Sequence, residues 1–152
     1  MLSTSFLCDT NILSELVRKR PDPGVDQWAR SMSRVAISSI TIEEIFFGLA
    51  WKPNPRVRSW FEGLLEAYCE VLPVTAEIAK RAGELRGGLQ ARGATRTPAD
   101  MVIAATAQLH QLTLVTRNAR HFVDCGIPVL NPFHEEGPPG EGTGLRPRPV
   151  PR

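Results

Sequence analysis

The sequence predicts an α/β fold, a three-layer sandwich in which a mainly parallel central sheet is flanked by helices. Three observations carry this. Short apolar runs recur along the chain, and stretches with helical spacing stand between most of them. The run after Thr97-Pro98 is apolar nearly all round, which is the signature of a helix buried against a sheet. The chain has 152 residues with 42% hydrophobic composition, enough for one domain with a proper core.

The elements follow in order. Residues 5–8 are short and apolar and run into Asp9-Thr10-Asn11, a strand that ends at an acid. Ile12, Leu13, Leu16 and Val17 give helical spacing over 12–19, and Pro21-Asp22-Pro23-Gly24 breaks it. A second helix is expected over 25–32 and a second strand over 35–38. Residues 41–51 carry Ile42, Ile45, Phe46 and Leu49 at i, i+3, i+4 and i+7, an amphipathic helix. Pro53-Asn54-Pro55 ends it. A further helix covers 56–68, a short strand 70–72 and another helix 76–91. Thr97 reads as an N-cap with Pro98 at the first helical position of a helix reaching His110. Residues 112–116 read as a buried strand. Residues 127–130 form the last, and Pro128 suits a sheet edge.

Charge and composition exclude several classes. The net charge of +2 permits nucleic-acid binding without arguing for it. No run approaches the roughly 20 apolar residues of a membrane helix. The N-terminus has no basic segment before its apolar residues, so no secretory signal is expected. Cys8, Cys69 and Cys125 are odd in number and widely spaced, which reads as reduced thiols packed as small apolar groups. His110, His121 and His134 lack the spacing of a zinc site, so any metal should be a hard ion held by oxygen. Gly87-Gly88 is not followed by the Lys-Ser/Thr of a phosphate-binding loop.

Ligands of an open parallel sheet bind beyond the carboxyl ends of its strands. Two strands end in polar clusters, Asp9-Thr10-Asn11 and Thr116-Arg117-Asn118, and Asp100 lies in the first turn of the buried helix. Each acid also has a structural reading. Asp9 can cap the helix that follows it. Asp100 can complete a capping box with Thr97. Periodicity puts Glu43 at the rim of its helix stripe and Glu44 nearly opposite it, a solvated position.

Taken together, four strings resemble the motifs of PIN domains, in order and spacing over residues 5–133. They are Phe6-Leu7-Cys8-Asp9-Thr10-Asn11, then Glu44-Ile45-Phe46-Phe47-Gly48, then Asp100-Met101-Val102-Ile103-Ala104-Ala105-Thr106-Ala107, then Thr116-Arg117-Asn118-Ala119-Arg120-His121-Phe122. The flavour is that of the VapC and FitB toxins. The resemblance implies a PIN-like domain over 1–133, followed by a Pro/Gly-rich disordered tail over 134–152. It implies a metal-dependent endoribonuclease, the toxin of a VapBC-type toxin–antitoxin pair. Asp9, Glu44 and Asp100 would bind Mg²⁺ or Mn²⁺, and Asn118 would complete the catalytic set. Asn11 and Thr116 would support them.

Further expectations come with the resemblance. RNA is the substrate, a cognate antitoxin the partner, a homodimer the assembly and the cytoplasm the location. Arg86, Arg92, Arg96, Arg117 and Arg120 are candidates to receive RNA around the acids. Phe46 and Phe47 point about 100° apart on one helix, so a second chain can cover one of them. The family often has an acid where this chain has His121. Asp124, three residues on, can stand in for it through the loop. The departure leaves a second metal in question and keeps open a degenerate module that binds RNA or protein without cutting.

Overall fold

A computed structural model describes residues 4–134. Apart from His134, the expected tail lies outside the described residues. Among these, five strands form one sheet in the order β3-β2-β1-β4-β5, every neighbouring pair parallel. The strands are β1 Phe6–Cys8, β2 Val35–Ser38, β3 Cys69–Leu72, β4 Thr113–Val115 and β5 Val129–Leu130. The helices are α1 Thr10–Leu16, α2 Pro23–Arg30, α3 Ser39–Trp51, α4 Pro55–Tyr68, α5 Ala76–Ala91 and α6 Pro98–His110.

Side-chain alternation along the strands divides the core in two. Leu7, Ala36, Leu72 and Leu114 face α5 and α6, packing on Ile78, Ala82, Met101 and Ala104. Cys8, Val35, Ile37 and Val115 face the opposite layer, packing on Ile12, Val25, Ile45 and Phe61. The period of two along each strand produces the sandwich. The three cysteines are free and buried. No helix among the described residues is long and apolar enough to cross a membrane.

Local signals explain most boundaries. Thr97 Oγ1 accepts the Asp100 N–H at 3.1 Å, with Pro98 behind it, as the cap reading expects. Asn54 caps α4 through Val57 N at 3.1 Å. β5 is an edge strand, and the Pro128 carbonyl still accepts from Leu114 N at 2.9 Å. α1 departs from its expected span of 12–19. It starts at Thr10 because Asp9 caps it, and it stops at Leu16. A 3₁₀ turn at Ala119–Phe122 has no counterpart in the periodicity.

The chain after β5 returns to α2. Asp22 Oδ1 accepts from Gly24 N, Val25 N and His134 N. A Cβ at Gly24 would drive into the Pro132 carbonyl oxygen. Gly24→Ala should therefore cost about 1–3 kcal/mol, a fall in Tm of roughly 3–10 °C at this size. Gly63→Ala in α4, where a Cβ meets open space, should raise Tm slightly. Thermal melts of the two variants check the contrast; equal behaviour would mean that residues 131–134 are not held against α2.

Candidate active site

The sheet order sets the position of the site. The chain builds outward from β1 in one direction through β2 and β3, then returns to add β4 on the other side. A crevice opens beyond the strand ends where the order reverses. Cys8 lies opposite Val115 in the β1–β4 register, so Asp9 and Thr116 leave the sheet side by side.

Asp9 is 6% exposed, yet both of its oxygens are held. Oδ1 accepts from Thr10 N at 2.8 Å. Oδ2 accepts from Thr116 Oγ1 at 2.8 Å and from Asn11 Nδ2 at 3.1 Å. Burial pushes the Asp9 carboxyl above its ordinary range. The bonds from Thr116, Thr10 and Asn11 oppose the shift, and the charge of Asp100 adds to it. Asp9 is thus both the cap of α1 and the centre of the site.

Thr116 is fully buried. While its hydroxyl donates to Asp9, its oxygen accepts from Asn118 N at 3.1 Å and Asn11 Nδ2 at 3.3 Å. Asn11 Oδ1 in turn accepts from Arg117 N at 3.1 Å. The segments after β1 and β4 are therefore laced together by side chains around one carboxylate.

Glu44 joins from α3, and here the periodicity misleads. The buried ridge of α3 is Thr41, Ile45 and Leu49, whereas Ile42 and Phe46 are only half-buried. At about 100° per residue the true ridge is rotated roughly 50° from the apolar stripe. That turns Glu43 to solvent and Glu44 into the cleft. Glu44 Oε1 accepts from Thr10 Oγ1 at 2.9 Å. Its carboxyl is also raised by burial, against the Thr10 bond, with the charges of Asp9, Asp100 and Glu43 adding.

Asp100 enters from the first turn of α6. Its backbone completes the Thr97 cap, and its Oδ2 lies 3.3 Å from His121 Nδ1. His121 thus occupies the expected fourth acid's place beside Asp100. Asp124 is exposed and does not line the cleft. Asn118 lines the cleft, but its side chain makes no capping bond to the 3₁₀ turn.

The cleft has a volume of about 480 Å³. Asp9, Glu44, Asp100 and Asn118 all line it, so the structure brings the expected set together. The acids share this space without closing on a single point. Among the described residues no three His, Cys, Asp or Glu side chains are grouped tightly enough to hold one ion between them. Their donor chemistry, oxygen only and mutually repelling, suits a hard cation reached partly through its own waters.

Of the arginines considered, Arg117 lines the cleft, while Arg86, Arg92 and Arg120 do not. Arg96 is tied to the carbonyls of His121 at 2.9 Å and Thr95 at 3.1 Å. Glu15 was not anticipated. It is 7% exposed, lines the cleft, and accepts from Arg18 at 3.0 and 3.2 Å and from Asp22 N at 3.0 Å. In sequence, Glu15 and Arg18 look like an ordinary surface pair at i, i+3. Phe133 also forms part of the wall, and nothing in its local sequence signalled that.

Fold and site together define a parallel α/β domain whose carboxylates line one cleft at the reversal of strand order. The chain belongs to the PIN-domain family, whose model matches residues 6–125. It is 32% identical to the VapC ribonuclease Y4jK of Sinorhizobium fredii, over 84% of this chain and 97% of that protein. Toxin FitB of Neisseria gonorrhoeae is 31% identical, over 86% and 99%. Among solved structures, DNA-bound VapBC from Salmonella typhimurium superposes with a TM-score of 0.73. It is 30% identical and covers 84% of this chain and 97% of its own.

Proposed function

We propose that this chain is a metal-dependent endoribonuclease and the toxin half of a VapBC-type pair. The observation that carries the reading is the convergence of Asp9, Glu44 and Asp100, from three separate elements, on one cleft. The near end-to-end likeness to a VapC ribonuclease supplies the substrate class.

Asp9, Glu44 and Asp100 would hold Mg²⁺ or Mn²⁺. When bound, such an ion supplies an activated water and neutralises charge on the phosphate. The residues' own work is to stay ionised and fixed. Thr116, Thr10 and Asn11 hold the two oxygens of Asp9 at set angles. Thr10 orients Glu44. Asp100 is fixed in the first turn of α6, with its Oδ2 3.3 Å from His121 Nδ1. Asn118, at the exit of β4, is placed to orient water in the cleft.

An antitoxin would have surfaces to hold. Phe47 and Trp51 are 61% and 70% exposed on α3, their rings 6.0 Å apart. Either the antitoxin or a second copy of this chain would cover them.

Labelled single-stranded RNA incubated with the purified chain tests the proposal. Cleavage should require added Mg²⁺ or Mn²⁺ and stop in excess EDTA. Cleavage that persists in EDTA would sink the carboxylate mechanism. One observation favours the second reading, a module that binds without cutting: His121 stands against Asp100 where an acid is usual in the family. RNA binding without cleavage in either metal would establish it.

A further inference from the structure

An acidic cleft that receives RNA needs a cation that its own acids have not already neutralised. Two arginines line this one. Arg18 is bound to Glu15 at 3.0 and 3.2 Å. Arg117 has no carboxylate partner among the described residues.

What holds it is visible. The Arg117 guanidinium lies over the Phe133 ring, 4.5 Å from its centroid. The Arg117 N–H is fixed on Asn11 Oδ1 at 3.1 Å. Phe133 is pinned in turn, its N–H on Asn131 Oδ1 at 3.0 Å and the next N–H, of His134, on Asp22 Oδ1 at 2.9 Å. A guanidinium held over a ring makes no hydrogen bond to it, so its N–H groups stay available to another partner. The guanidinium edge matches two oxygens of a phosphate.

We propose that Arg117, shelved on Phe133, anchors a backbone phosphate of the RNA beside the reacting one. The inference rests on the ribonuclease reading and adds a substrate contact to it. The contact is to phosphate and carries no base sequence. It acts in the bound ground state, because the guanidinium is held by the Phe133 ring on the wall of the cleft before any charge develops on the reacting phosphate.

The test uses a fluorescein-labelled, mixed-sequence single-stranded RNA of twelve nucleotides. Binding is followed by anisotropy over a salt series with Mg²⁺ present, in an Asp9→Asn background that prevents cleavage. Adding Arg117→Ala should weaken binding roughly tenfold and reduce the slope of log K against log salt by about 0.7, the value of one single-strand phosphate contact. Arg117→Lys should keep the slope with weaker binding, since the charge stays while the fork and the stack are lost. Phe133→Leu should do the same. In the chain with Asp9 intact, Arg117→Ala should raise KM and leave kcat within about threefold.

An unchanged slope in Arg117→Ala overturns the proposal, as does a loss confined to kcat. The ribonuclease reading is separated cleanly. Cleavage with an unchanged slope removes only the anchor. A changed slope in a chain that never cleaves keeps the anchor and removes the nuclease. No RNA binding by the unsubstituted chain removes both.

Discussion

Asp9→Asn should lower RNA cleavage by roughly a thousandfold, about 4 kcal/mol of transition-state stabilisation, while leaving the fold intact. The amide has the shape of the carboxylate. With its oxygen in the place of Oδ2 it still accepts from Thr116 Oγ1 and Asn11 Nδ2, and only the Thr10 N–H loses its acceptor. What is lost is the negative charge at the centre of the site.

Stability should move the other way. Burial raises the Asp9 carboxyl above its ordinary value of 3.8. A carboxyl with a raised folded-state pKa costs stability as pH climbs from that ordinary value through the raised one, and the full cost remains at neutral pH. In EDTA, Asp9→Asn should therefore melt at or above the unsubstituted chain. Added Mn²⁺ should raise the Tm of the unsubstituted chain and barely move the variant. A variant that melts many degrees lower in EDTA would mean that its inactivity reports unfolding.

Much of this site was legible in the sequence, for a physical reason. Asp9 and Thr116 each directly follow a buried strand, and parallel strands bring their carboxyl ends to one rim. Asp100 was marked by the Thr97-Pro98 start of a helix that had to be buried. Glu44 was legible only through resemblance, because its helix is read by counting apolar residues. Thr41 is polar and so counts against a core position, yet it is fully buried, 3.3 Å from Thr10 Oγ1. Phe46 counts as core, yet it is half-buried, with Arg58 stacked 5.1 Å from its ring centroid. One buried threonine and one shielded phenylalanine turn the apparent stripe away from the real one. Glu15 and Phe133 were not legible at all. Their places depend on the Arg18 and Asp22 contacts and on the return of residues 131–134 to α2, both of which are tertiary.

Thr116→Val should weaken Mn²⁺ binding 10- to 100-fold, the usual cost of removing a group that orients a metal-binding acid. Cleavage should fall with it. Valine fits the volume, so the substitution removes only the hydroxyl. Asp9 Oδ2 then keeps Asn11 Nδ2 alone, at 3.1 Å, and Asn11 itself loses the Thr116 oxygen that helps to fix it. The buried carboxylate loses its shortest bond to the β4 segment, which should push its pKa further in the direction that burial already drives it. A freed Asp9 can still reach a metal, but it must order itself to do so, and that cost appears as lost affinity. Thr116→Ser restores the donor and should recover most of the Mn²⁺ affinity despite the missing methyl group. Calorimetric titration of Mn²⁺ into the three chains, in the absence of RNA, separates orientation from simple destabilisation. A valine variant that melts lower yet binds Mn²⁺ as tightly as the threonine chain would show that Thr116 serves the fold and not the acid.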